Sequence, residues 1–232
     1  ANGIAAPLLE DAYYIRQALT PGADVREGDL DTLLSRPLAV LFMASGGRLL
    51  ETEVERLGRW IDAGGVLVRF AGPRLNDNVD PLLPVHLRIG GRSFGGALSW
   101  DEPARMAPFP ENSPFKAMAV PDDVTVASQV LAEPTPDLPD KTWARLNDGT
   151  PLITATRRGQ GWLILFHVTA TPEWSSLPMS GLFVDLLHRI VDLSAGVAVD
   201  DTTAGAGDLA PLQLLDGRGR LVPPDTTART IE

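Results

Sequence analysis

A layered α/β domain on a mainly parallel sheet, carrying an antiparallel β-rich insertion, is the fold class this sequence predicts, and three observations predict it. Two continuous apolar runs, Leu38-Ala39-Val40-Leu41-Phe42-Met43 and Val66-Leu67-Val68-Arg69-Phe70, have the length of strands buried on both faces. Between them Leu50, Val54, Leu57 and Ile61 recur at helical spacing, with Glu51, Glu53 and Glu55 early and Arg56 and Arg59 late, the order a helix dipole favours. Gly64-Gly65 then stops the helix. Strand, helix and strand thus follow within about 35 residues, which is a βαβ unit with a right-handed crossover.

The remaining elements read off in order. Residues 13–19 form a helix ending at Pro21-Gly22, and a short strand is expected around Val25. Beyond Gly72 the segments 85–89 and 124–130 alternate apolar and polar residues and flank a Pro-rich stretch from Pro103 to Pro121; this predicts the β-rich insertion, with long loops, over about 75–150. Segments 152–156 and 162–166 are strands separated by the turn signal Arg157-Arg158-Gly159-Gln160-Gly161. Leu182, Leu186, Ile190 and Leu193 make one apolar helical stripe, widened by Phe183, Leu187 and Val191, with Asp185, His188 and Asp192 on the other face. From Gly196 onward Gly, Thr and Asp accumulate. The expected domain is therefore 1–195, with 196–232 an appendage or tether holding one hairpin at 212–222.

Composition bounds the function. With 232 residues, 44% of them hydrophobic, the chain can bury a sizeable core. Lys+Arg 20 against Asp+Glu 30 gives a net charge of −10, which argues against nucleic acid and anionic membrane surfaces as partners. The chain has no cysteine, so disulfides, thiolate metal sites and a Cys nucleophile are excluded. Its longest apolar run, Leu38 to Ala44, falls far short of the roughly 18 residues a membrane span requires. The expectation is a soluble piece of a longer chain, any anchor lying outside it.

Two stretches carry a resemblance. Leu57-Gly58-Arg59-Trp60-Ile61-Asp62-Ala63-Gly64-Gly65-Val66-Leu67-Val68 resembles the helix, Gly-Gly, strand step of class I glutamine amidotransferase-like domains. Gly159-Gln160-Gly161-Trp162-Leu163-Ile164-Leu165-Phe166, continuing through Pro172-Glu173-Trp174-Ser175-Ser176-Leu177-Pro178 and Leu182-Phe183-Val184-Asp185-Leu186-Leu187, resembles the soluble domain of bacterial BatA-like proteins, which carry an N-terminal double-transmembrane region and are mostly of unassigned function. The resemblance covers about residues 1 to 195 and implies a flavodoxin-like, amidotransferase-like fold, an inner-membrane anchor in the full-length protein and a periplasmic domain. It also implies a negative. Where active amidotransferases place the nucleophilic Cys after the second strand, this sequence places Phe70, and a phenyl ring cannot attack a carbonyl.

Candidate chemistry elsewhere is sparse. Gly91-Arg92-Ser93-Phe94-Gly95 matches the G-x-S-x-G nucleophile pattern, and Asp185 with His188 or His167 follow in hydrolase order. The elbow requires a following helix, whereas the next residues are strand-like, and the bracketing glycine pairs predict a hairpin turn. Ser45-Gly46-Gly47-Arg48 follows a buried strand and precedes a helix, where backbone N–H groups hold anions, and Arg74 after the next strand would assist; these are the candidate ligand residues, with a tight connection and a surface Arg as the plain alternatives. The histidines His86, His167 and His188 lack metal-ligand spacing, and His167 in its apolar run reads as a core histidine. Asn76, Asn78 and Asp80 imitate a calcium loop, yet Pro81 and Leu87 stand where it needs Gly and Glu. Trp174 and Pro178 are expected to staple the last helix to the sheet. No metal and no cofactor are expected.

The leading expectation is a non-catalytic interaction or ligand-sensing domain of a membrane-anchored bacterial envelope protein, its partner a protein such as another subunit of a membrane complex. The alternatives are a serine hydrolase or amidase-like enzyme using Ser93, and a small-anion binding module at the Ser45 to Arg48 loop.

Overall fold

A computed structural model describes residues 12–44, 49–72, 75, 80–88, 97–194, 214–215 and 221–222. The chain divides into two units, Ala1–Gly196 and Val197–Glu232. In the second, strands β8 (Leu214–Leu215) and β9 (Leu221–Val222) pair antiparallel.

The first unit opens with α1 (Tyr13–Leu19), whose Ile15, Ala18 and Leu19 are buried. The segment around Val25 forms no strand. Helix α2 (Leu30–Leu34) starts at Asp29, whose carboxylate accepts the Thr32 N–H at 2.7 Å and is thereby held below the usual carboxylate range. Strand β1 (Val40–Met43), helix α3 (Glu51–Asp62) and strand β2 (Val66–Phe70) then form the βαβ unit, β1 and β2 pairing in parallel. At the start of α3 the Glu53 carboxylate accepts the Leu50 N–H at 2.7 Å. The helix buries Leu57 and Ile61 completely, as their spacing predicts.

The sheet is mixed. Its order is β1-β2-β7-β6-β5, where β5 spans Thr142–Arg145, β6 Pro151–Arg158 and β7 Gly161–Phe166. Strand β7 joins β2 in parallel, but β6 and β5 run antiparallel to their neighbours. This corrects the expected mainly parallel, flavodoxin-like layering. Parallel neighbours need a long crossover, whereas Gly159-Gln160 closes β6 to β7 with Gly159 at φ 57°, and Asp148-Gly149 closes β5 to β6 with Gly149 at φ 87°. The short turns therefore impose antiparallel pairing on half the sheet.

A second sheet pairs β3 (Ala97–Arg105) with β4 (Thr125–Val130) antiparallel. Between β4 and β5 lies the short helix α4 (Leu138–Lys141). The 85–89 segment contributes one isolated bridge, Leu87 to Ala132. The Trp174 carbonyl accepts the N–H groups of Ala127 and Ser128 at 2.8 and 3.1 Å, joining the chain after β7 to β4. Helix α5 (Gly181–Ser194) closes the unit, burying Leu182, Phe183, Leu186, Leu187 and Ile190.

The main core lies on the sheet face that carries Val66, Val68 and Phe70, under α1 and α5. The opposite face holds Leu41, Leu67 and Leu163 against α3, with Leu30, Leu33 and Leu34 of α2 at its margin.

Candidate functional site

Ligands of α/β sheets gather beyond the carboxyl ends of parallel strands. Here those ends belong to β1, β2 and β7. The candidate residues Ser45, Gly46, Gly47 and Arg48, which follow β1, and Arg74, which follows β2, lie outside the described residues, as does Ser93.

The described residues place an unexpected polar group at this edge. Arg69, next to last in β2, is 1% exposed and ion-paired with Asp80, whose other carboxylate oxygen accepts the Leu82 N–H at 2.9 Å. Its Nε and Nη2 have no hydrogen-bond partner among the described residues. The register sets Met43, Arg69, Leu165 and Thr154 side by side across four strands, on the α3 face of the sheet. A charge inside a run buried on both faces was visible in the sequence, and burial of such a charge demands a paired acid. Asp80, the residue that completes the calcium-loop imitation, is that acid.

His167 follows β7 and is fully buried. Its Nδ1 lies 2.9 Å from the Val130 carbonyl and its Nε2 3.0 Å from the Thr154 hydroxyl. A carbonyl only accepts, so Nδ1 carries the proton and Nε2 accepts from Thr154. The His167 carbonyl in turn accepts the Val130 N–H at 3.0 Å, so one residue clamps the end of β4 to the main sheet twice. Burial pushes its pKa down to about 4, opposed in part by the Val130 carbonyl. The ring is thus neutral at pH 7 with both nitrogens engaged, the core role its apolar surroundings predict.

The other histidines lie elsewhere. His188 Nε2 donates to the Ala18 carbonyl at 2.9 Å, joining α5 to α1, while Asp185 on the same helix is exposed. His86 is exposed on the 80–88 segment. No group of three metal-ligating side chains occurs among the described residues. Phe70 is completely buried, stacked on Phe166 with ring centroids 4.6 Å apart and lying 6.0 Å from Phe183. A second feature lies at the sheet margin, where a cavity of about 480 Å³ runs between α1, residues 23–28 and β1. Nothing in the sequence announced it, because its walls come from segments brought together only by folding.

No protein-family model matches the chain, and no curated protein matches it. Among solved structures it is similar to the Cytoplasmic Protein STM3548 from Salmonella typhimurium, at 15% identity and TM-score 0.59, over 78% of this chain and 86% of that one. A second is the Cytoplasmic Protein STM1381 from Salmonella typhimurium LT2, at 14% identity and TM-score 0.54, over 79% and 84% of the two chains. A β-galactosidase from Bacillus circulans sp. alkalophilus aligns at 15% identity and TM-score 0.39, covering 84% of this chain and 28% of that one, too loosely to carry an argument. The expected membrane and periplasmic labels find no support in these comparisons. The first two neighbours are described as cytoplasmic, and no helix among the described residues is long and apolar enough to cross a membrane. What these neighbours share with the chain is its fold.

Proposed function

We propose that the chain is a non-catalytic interaction or ligand-sensing domain. The observation that carries this reading is the state of His167: this histidine, which directly follows β7 at the carboxyl edge of the parallel strands, is sealed, neutral and bonded through both nitrogens to structural partners. A general base must reach the proton it removes, and this ring reaches only Thr154 and Val130. Phe70, packed between aromatic rings, supports the same reading, since it occupies the place the amidotransferase resemblance gives to a nucleophile.

The test compares wild type with Ser93→Ala across ester and amide substrates. Equal background rates are expected. Substantial turnover that disappears in the variant would promote the hydrolase.

A second reading, a small-anion site at Ser45 to Arg48 with Arg74, is favoured by the Arg69 guanidinium, which brings buried donors without a described partner to the same sheet edge. Inorganic phosphate, sulfate and acetate titrated calorimetrically into wild type and into an Arg48→Ala, Arg74→Ala double variant would decide it. Saturable binding lost in the variant is the expected result, and absence of heat in both chains removes this reading.

A further inference from the structure

Arg69 keeps one whole edge of its guanidinium without a partner. Asp80 takes Nη1, whereas Nε and Nη2, which together form the planar fork that grips a carboxylate through both its oxygens, have no acceptor among the described residues. The side chain is 1% exposed, so bulk water does not serve the fork either. The described side chains beside it are apolar: the register sets Met43 on one side and Leu165 on the other, and Leu82 packs on the same face. Two donors of a charged group left unmet in the interior carry a desolvation cost that a folded chain ordinarily avoids.

Asp80 stands on the outer side of the pair. At 12% exposed it reaches solvent where Arg69 does not, and Pro81 after it is exposed. The chain beyond is held independently: Leu82 and Val85 are buried, the Arg88 N–H donates to the Leu131 carbonyl at 2.9 Å, and the Glu133 N–H donates to the His86 carbonyl at 2.7 Å. Asp80 can therefore turn outward at the cost of its ion pair and of the Leu82 N–H bond, while residues 82–88 stay in place. Charge counting fixes what replaces it. The guanidinium and the carboxylate cancel, and the interior stays neutral only if a group of single negative charge enters as Asp80 leaves. A dianion such as a phosphate monoester would bury one charge unopposed. The position suits a ligand, since Arg69 is next to last in β2, at the carboxyl edge of the parallel strands.

We propose that Arg69 is a binding site for a small monocarboxylate, with Asp80 as its built-in competitor. The incoming carboxylate takes the Nε and Nη2 fork, Asp80 moves to water, and the Leu82 N–H loses its acceptor. Binding is thus an exchange of one carboxylate for another, and it needs no group of the Ser45 to Arg48 loop.

Sodium formate, titrated calorimetrically with sodium chloride at equal ionic strength as the control, tests this on wild type and on Asp80→Asn. The variant keeps a carbonyl oxygen for the Leu82 N–H and removes the competing charge, so formate should bind it at least about tenfold more tightly than wild type. Adding Arg69→Met to Asp80→Asn should abolish binding, whereas adding Arg48→Ala and Arg74→Ala should leave it unchanged. In wild type, excess formate but not chloride should speed hydrogen exchange at the Leu82 amide by at least about threefold. Equal affinity in wild type and Asp80→Asn, no formate heat in either, or unchanged Leu82 exchange overturns the proposal. So does binding lost with Arg48 and Arg74, which would assign the anion to the loop. Should Asp80→Asn fail to fold, the Leu82 amide of wild type decides alone.

Discussion

Gly161, which opens β7, stands against Gly65, which follows α3: a Cβ at 161 would overlap the Gly65 carbonyl, and the Trp162 N–H donates to that same carbonyl at 3.2 Å. The two stretches of distinctive wording in the sequence thus touch. Gln160 N–H donates to the Asp62 carbonyl at 3.1 Å, and Arg158 Nε to the Asp62 carboxylate at 3.1 Å, so the β6 to β7 turn seats directly on the end of α3.

Gly161→Ala should therefore destabilise the domain by about 1–3 kcal/mol, because the obstacle is backbone and cannot rotate away. Gly181→Ala, at the open first position of α5, where nothing lies within 4 Å of an added Cβ, should be near neutral. Urea unfolding of both variants checks the pair.

Leu57→Ala and Ile61→Ala should each cost on the order of 2–5 kcal/mol, since both side chains are 0% exposed and their removal leaves a cavity that the surroundings fill only in part. A loss below about 1 kcal/mol in urea unfolding would contradict their burial.

His167 predicts a pH dependence of stability. Its folded pKa, about 4, lies below the ordinary value of 6.5, so between those two pH values the unfolded chain binds a proton that the folded chain refuses. The stability this contributes is fully present above pH 6.5, shrinks as pH falls, and is gone below about 4, amounting to roughly 3 kcal/mol. His167→Gln should flatten the stability profile across that window, whatever its own cost at neutral pH. Denaturant unfolding at a series of pH values reads the difference in slope.

The Arg69 and Asp80 pair predicts non-additivity. Asp80→Ala should cost about 3–5 kcal/mol, because it strands a guanidinium that is 1% exposed. Adding Arg69→Met should recover part of that loss, so the double variant costs less than the sum of the singles. A double-mutant cycle by chemical unfolding measures the coupling, and strict additivity would show that the buried charge is satisfied by other groups.

Removing residues 197–232 should leave the melting temperature of the first unit within about 2 °C, whereas Leu186→Ala should lower it by on the order of 5–15 °C. Calorimetry of both chains tests the boundary.

Local signals by themselves determined the elements whose cause is local. Periodicity placed α3 and α5, the Pro21-Gly22 stop bounded α1, continuous apolar runs placed β1 and β2, and the glycines 159 and 161 placed the turn between β6 and β7. They also assigned His167 to the core, since it sits within the apolar run Leu165-Phe166-His167-Val168, and the ring is fully buried. Tertiary structure alone decided the rest. The direction of β6 and β5 follows from which strand β7 pairs with, and β7 meets β2 only after nearly a hundred intervening residues have been looped out, a choice made by burial and not by any window of sequence. For the same reason the acid that neutralises Arg69, the carbonyl that fixes the His167 tautomer and the cavity beside β1 could not be read along the chain. Each depends on groups distant in sequence becoming neighbours, and the energy that selects them, desolvation of charge and unpaired peptide groups, exists only once the core has closed around them.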